Sequence, residues 1–175
     1  WLVVGGLGMT QRHTLAAINE LPPEVTLSFV PYANDLQGWI NKARAAGHEV
    51  LLELPMEAYD YPNVDSGPQT LLTSAKPEEN LRRLNILMGK ATGYFGVTNY
   101  QGARFAIDAA AATPVMKVLK DRGLVFLHDG AAARSPSDVK RGHDAERGPQ
   151  AGAEIDQRYA GPDRGLPHLA GDAHD

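Results

Sequence analysis

The sequence predicts an α/β fold, a mainly parallel sheet whose strands are joined by crossover helices, on two observations. Short runs rich in valine, leucine and phenylalanine alternate along the chain with longer stretches of helical character, and the boundaries between them carry capping residues. The strands are read at Leu2 to Gly6, Val25 to Val30, Glu49 to Leu54, Tyr94 to Thr98 and Leu124 to His128, and the helices at Thr10 to Asn19, Leu36 to Ala46, Pro77 to Gly89 and Ala109 to Arg122.

Each boundary has a physical signal. Asn34 or Asp35 can accept a hydrogen bond from the free N–H groups opening the second helix, and Gly47 can take the left-handed conformation that closes it. Lys76-Pro77-Glu78-Glu79 places a proline and two acids where a helix N-terminus favours them, and Arg122-Gly123 repeats the glycine stop. Period alone does not separate an open doubly wound sheet from a (β/α) barrel. In both, the loops after the C-terminal ends of the strands gather on one face, where chemistry is sought.

From about Ser135 onward the texture changes to frequent Gly, Pro, Ala and charge, and little regular packing is expected there. This divides the chain into a domain over residues 1–135 and an irregular C-terminal segment over 136–175. Five strands are too few to close an eight-stranded barrel, so a partial or incomplete barrel is expected, whose exposed sheet edge invites self-association.

Composition narrows the function. The 175 residues suit one core, and a net charge of −4 offers no broad basic surface, which argues against nucleic acid as a partner. No cysteine is present, which removes disulfides, thiolate zinc sites and cysteine nucleophiles. The apolar runs are too short to span a bilayer, and Trp1 already lies in a strand-like run, so any targeting segment would precede it.

The opening VVGGLG invites a nucleotide reading that its spacing refuses. Gly5, Gly6 and Gly8 do not make G-x-G-x-x-G, no acid ends the second strand TLSFVPY, and no Gly-Lys-Ser/Thr follows. Glycines at a strand end turn the chain into its helix, and leave room for a ligand or a neighbouring side chain.

Polar residues collect at the strand exits. Glu53 lies within the apolar run VLLELPM, where a parallel sheet has no wet face; it therefore needs either a pocket, in which burial raises its pKa toward acid–base work, or an arginine at the rim. Glu57 follows the stiff exit at Pro55, and Tyr61, Asn63 and Asp65 decorate a long loop suited to sugar hydroxyls and ring faces, or to plain solvation. In GVTNYQGARF, Asn99 and Tyr100 leave the fourth strand and Arg104 projects a guanidinium toward carboxylates, with Asn99 capping its own turn and Arg104 paired to Glu57 or a nearby acid as the structural alternative. His128 and Asp129 end the fifth strand, though neighbours on a strand point apart and do not make a dyad. No H-x-x-x-H or H-E-x-x-H pattern marks a zinc site, and His13, His48, His143, His168 and His174 read as surface residues. No metal ligand or cofactor is therefore assigned, with a divalent metal such as zinc as the lesser alternative, and serine catalysis lacks G-x-S-x-G.

The blocks VVGGLG, LPPEVTLSFVPYANDLQGW, GHEVLLELPMEAYDYPNVDSGPQTLL, ENLRRLN, GYFGVTNYQGARF and RGLVFLHDGAAARS, in this order, resemble the divergent polysaccharide deacetylase family of the glycoside hydrolase/deacetylase superfamily. The resemblance covers about residues 1–135. It implies a distorted (β/α) barrel, a polysaccharide or amino-sugar oligomer as partner, and a periplasmic or otherwise exported setting.

In metal-dependent members of the wider superfamily the first strand ends in paired aspartates, and Gly5 and Gly6 stand there here. Where relatives of this branch keep histidines, Glu53 and Tyr100 stand in their places. The resemblance thus implies a lost metal centre and two classes of function. One is a hydrolase of N- or O-acyl groups in which Glu53, Glu57 or Asp129 activates water and Arg104, Asn99 or backbone N–H groups stabilise negative charge. The other is a noncatalytic glycan-binding or envelope-maintenance protein that keeps Tyr61, Asn63, Asp65, Asn99, Tyr100 and His128 as sugar contacts.

Overall fold

The computed structural model describes residues 2–130 together with the short strand Glu154–Ile155. The elements run β1 (Val3–Leu7), α1 (Gln11–Glu20), β2 (Thr26–Phe29), α2 (Leu36–Ala45), β3 (Val50–Met56), α3 (Pro77–Met88), β4 (Gly96–Gln101), α4 (Ala103–Ile107), α5 (Ala109–Asp121), β5 (Val125–His128) and β6 (Glu154–Ile155). Strands β1 to β5 are parallel and lie in the order of the sequence.

That order decides between the two architectures left open above. Right-handed crossovers that always advance in one direction put every helix on the same face of the sheet, whereas a doubly wound sheet reverses direction and covers both. The core agrees. Ile18 of α1, Trp39 and Ile40 of α2, Leu84 and Leu87 of α3, and Val115 and Leu119 of α5 pack in one cluster with Phe29, Leu52, Val97 and Phe126. These four strand residues are in register across β2 to β5 and so share one face. The fold is a partial, unclosed (β/α) barrel with its helices outside.

The opposite, inner face carries the rows Ser28, Leu51, Gly96 and Val125, and then Glu53, Thr98 and Leu127. Ser28, Leu51, Glu53 and Thr98 are all buried.

The caps follow the chemistry expected. Asp35 accepts from the Gly38 N–H at 3.3 Å to open α2, Gly47 is left-handed behind it, and Pro77 occupies the first turn of α3. Three features depart from the sequence reading. Strands β3 and β4 run on to Met56 and Gln101. A five-residue helix, α4, starts at left-handed Gly102, where a Cβ would stand 2.5 Å from that of Met56. And a two-residue strand within the segment expected to lack regular structure pairs antiparallel with the outer edge of β5. A strand that short needs no apolar run, because main-chain groups make its pairing.

His48 corrects a surface assignment. It is 1% exposed, with Nδ1 2.9 Å from the Val25 carbonyl and Nε2 3.1 Å from that of Ile18. The ring ties the end of α1 to the starts of β2 and β3. His13 is exposed, and His143, His168 and His174 lie outside the described residues. Removing the His48 ring strands buried carbonyls, so His48→Ala is expected to cost about 2–4 kcal/mol in urea unfolding; a loss below about 0.5 kcal/mol would show that the ring is not a structural tie.

Candidate functional site

The site begins with the glycines of β1. The β1–β2 ladder passes from Val4↔Leu27 to Leu7↔Phe29, so Gly5 and Gly6 together oppose Ser28 in a bulge. Gly6, at φ 71°, turns its N–H out of the ladder and donates it to Oε1 of Glu53 at 2.6 Å. Ser28 donates its hydroxyl to the same oxygen at 2.7 Å. Gly5 provides the space, since a Cβ there would lie 2.9 Å from Oε1.

Glu53 is 3% exposed. Its second oxygen, Oε2, is buried with no hydrogen-bond partner. Burial pushes its pKa above the ordinary carboxylate value, and the Gly6 N–H and Ser28 hydroxyl pull it partly back. Gly5 and Gly6, directly beside it, are solvent-exposed. Of the two settings open for Glu53, the buried one is observed, with Gly6 and Ser28 as its hydrogen-bond partners rather than an arginine at the rim.

Glu57 stands four residues after Glu53, just past the end of β3 at Met56, about 13 Å away at the rise of an extended chain, and the two do not share a centre. Its carboxylate is engaged on both sides: Oε2 accepts from the Thr73 N–H at 2.6 Å and the Thr73 hydroxyl at 2.9 Å, and Oε1 lies 3.1 Å from Nη1 of Arg104. Its N–H donates to Leu71 and its carbonyl accepts from Arg104 and Phe105. Arg104 is half-exposed.

The remaining predicted residues divide by face. Asn99 is in register with Leu54 on the helix side; its Nδ2 donates to the Gln101 carbonyl at 2.6 Å and its Oδ1 accepts from the Asp129 N–H at 3.0 Å. His128 follows on that side, edge-on to Phe126, with Nδ1 accepting from the Gly130 N–H at 2.8 Å. Tyr100 shares the inner face with Glu53 and is exposed.

The loop from Glu57 to Lys76 is tied down. Asn80 of α3 exchanges two hydrogen bonds with the main chain of Leu72, Ser66 donates to the Met56 carbonyl at 2.8 Å, and Asp65 accepts from the Gly67 N–H at 2.9 Å. Tyr32 donates its hydroxyl to the Pro68 carbonyl. Its pKa is pushed up to about 12, first by burial and then by Asp65 and Tyr100. Tyr61 is half-buried behind a cis bond to Pro62, and Asn63 and Asp65 are exposed.

Ser28, Tyr32 and Thr73 escaped the sequence reading. A lone hydroxyl between Leu27 and Phe29 was the available signal for Ser28, and Pro31 at a strand exit for Tyr32; Thr73 carried none.

A divalent metal does not fit this donor set. Among the described residues no three His, Asp or Glu side chains form a ligand group, Glu57 has both oxygens engaged by Thr73 and Arg104, and Glu53 faces a hydroxyl and an amide donor. The described residues also contain no helix long and apolar enough to cross a membrane.

Comparison with known proteins gives consistent matches. The family model described as divergent polysaccharide deacetylase matches residues 2–144. An uncharacterized protein of Haemophilus influenzae Rd is 24% identical over 120 residues, 69% of this chain and 42% of the relative. The crystal structure of an uncharacterized protein from Agrobacterium tumefaciens C58 superposes with a TM-score of 0.74 at 47% identity, covering 79% of this chain and 56% of that one. The chain therefore spans about half the length of the proteins it matches.

The two carboxylates lead to opposite expectations. Glu57→Ala strips two donors and a cation of their acceptor, and is expected to cost about 2–4 kcal/mol by chemical denaturation; Arg104→Ala, half-exposed, costs under about 1 kcal/mol. Equal losses would refute the clasp. For Glu53 the folded pKa lies above the ordinary 4.5, so its contribution to stability is complete below that pH and is lost as pH rises through the folded value. Glu53→Gln should therefore gain stability relative to the parent as pH rises from 4 to 8, read from paired melts; a gap constant with pH would contradict the assignment.

Proposed function

The chain belongs to the divergent polysaccharide deacetylase family, and from that premise we propose that it is a deacetylase-like hydrolase of an acylated polysaccharide in which Glu53, without a metal, moves the proton. One observation carries the reading: Glu53 keeps a buried oxygen with no partner beside exposed main chain, while Glu57 has both oxygens engaged. A carboxyl of raised pKa suits proton transfer near neutrality.

On an N-acetylated amino sugar, ionised Glu53 takes a proton from a water whose oxygen bonds to the acetyl carbonyl carbon. The tetrahedral species collapses with cleavage of the C–N bond, Glu53 returns the proton to nitrogen, and the free amine and acetic acid leave. In this reading Arg104 and Asp129 act at the rim on the polymer, and Tyr61, Asn63, Asp65 and Tyr100 contact the sugars. Asn99 and His128 hold the strand ends that present them.

A second reading, a glycan-binding protein without turnover, is favoured by the lack of a metal-ligand group among the described residues and by the Glu57 clasp. Hydrolysis of acetylated amino-sugar oligomers, with and without chelator, separates the two. Turnover insensitive to chelator and reduced about 10²–10⁴-fold in Glu53→Gln is expected. Folded protein that binds the oligomer and releases no acetate would establish the second reading, and loss of turnover on chelation would overturn the metal-free one.

A further inference from the structure

Glu53 sits in a cradle that treats its two oxygens differently. Oε1 accepts from the Gly6 N–H at 2.6 Å and from the Ser28 hydroxyl at 2.7 Å, which uses both of its lone-pair directions. Oε2 is buried and has no partner. In a neutral carboxylic acid the hydroxyl oxygen is the donor and the carbonyl oxygen the good acceptor, so two donors aimed at one oxygen assign it as the carbonyl.

The space for that oxygen comes from Gly5. A Cβ built there lies 2.9 Å from Oε1 and 3.0 Å from Ser28 Oγ, wedged against both members of the hydrogen bond. Gly5 is not in the left-handed region that requires glycine, so what it supplies is room and not backbone freedom. The neighbouring strands add no charge: β1 presents Gly5 and Gly6, β2 presents Ser28, and β4 places Thr98 in register beside Glu53.

We infer that Ser28 and Gly5 are positioning residues: Ser28, with the Gly6 N–H, fixes Oε1 of Glu53 as the acceptor, Gly5 leaves the space for it, and Oε2 is the atom that carries the acid's proton. The inference rests on the acid–base role proposed above for its use in catalysis, but its geometry is measurable without turnover.

Infrared difference spectroscopy over a pH series reads it directly, through the carboxylic-acid C=O band that is absent in Glu53→Gln. A carbonyl accepting two hydrogen bonds absorbs at lower frequency than one accepting a single bond. Ser28→Ala should move the band to higher frequency and its titration midpoint to higher pH, because a donor to the ionised form is lost. Ser28→Thr should restore both, and Gly5→Ala should displace the band as Ser28→Ala does. A band and midpoint unmoved in folded Ser28→Ala would overturn the inference, and so would a shift that Ser28→Thr leaves uncorrected. Should Gly5→Ala not fold, the Ser28 pair decides alone. The expected spectra together with no acetate release would leave this assignment standing and remove the hydrolase. Glu53-dependent hydrolysis with a band indifferent to Ser28 would do the reverse.

Discussion

The end of the barrel that carries the candidate site depends on Glu57. Its main chain binds Leu71 on one side and the start of α4 on the other, while its carboxylate holds Thr73 and Arg104. Three segments distant in sequence, the end of β3, the return of the long loop and the first turn of α4, are thereby fixed to one residue. A loop of some twenty residues without regular structure is entropically costly, and Glu57, helped by Asn80 and Ser66, offsets that cost with buried polar contacts. An acid so engaged has little capacity left for proton transfer. Its task is to set the frame in which other groups stand.

Glu53, within β3, is the counterpart. The inner face of the sheet is otherwise lined there by groups such as Leu51, Thr98 and Leu127, and a lone carboxyl survives among them because a glycine bulge on β1 turns one amide toward it. Burial raises the cost of its charge, and two donors return part of that cost. Four residues apart, the chain thus carries one acid with both oxygens engaged and another with only one engaged. The incomplete one is where a water or a polar ligand group would be worth most.

Much of the frame was legible in the residues. Apolar runs located β1 to β5, and Asp35 and Gly47 marked the ends of α2. The pairing of Arg104 with Glu57 was one of two readings the sequence left open. What could not be read depends on contacts between distant segments. His48 looks like a turn residue until the end of α1 and the start of β2 deliver two carbonyls to its ring. Ser28 acquires meaning only when β3 brings Glu53 beside it, and Thr73 only when the loop returns. Helix α4 and strand β6 are too short for periodicity to register. The glycines of VVGGLG announced a special backbone but not its purpose, because the group they serve lies 47 positions away in the chain.

The overlap between a Cβ at position 5 and Oε1 of Glu53 also orders the history that substitution can take. Of the two single steps leading to this pair, glycine at position 5 merely opens a gap, whereas glutamate at position 53 beside any larger residue forces a buried carboxyl against a side chain in a packed strand. The low path acquires the glycine first and the acid second, and retraces it in the opposite sequence. The two positions are therefore coupled: once Glu53 is in place, a side chain at position 5 requires the carboxyl and its Ser28 hydrogen bond to shift.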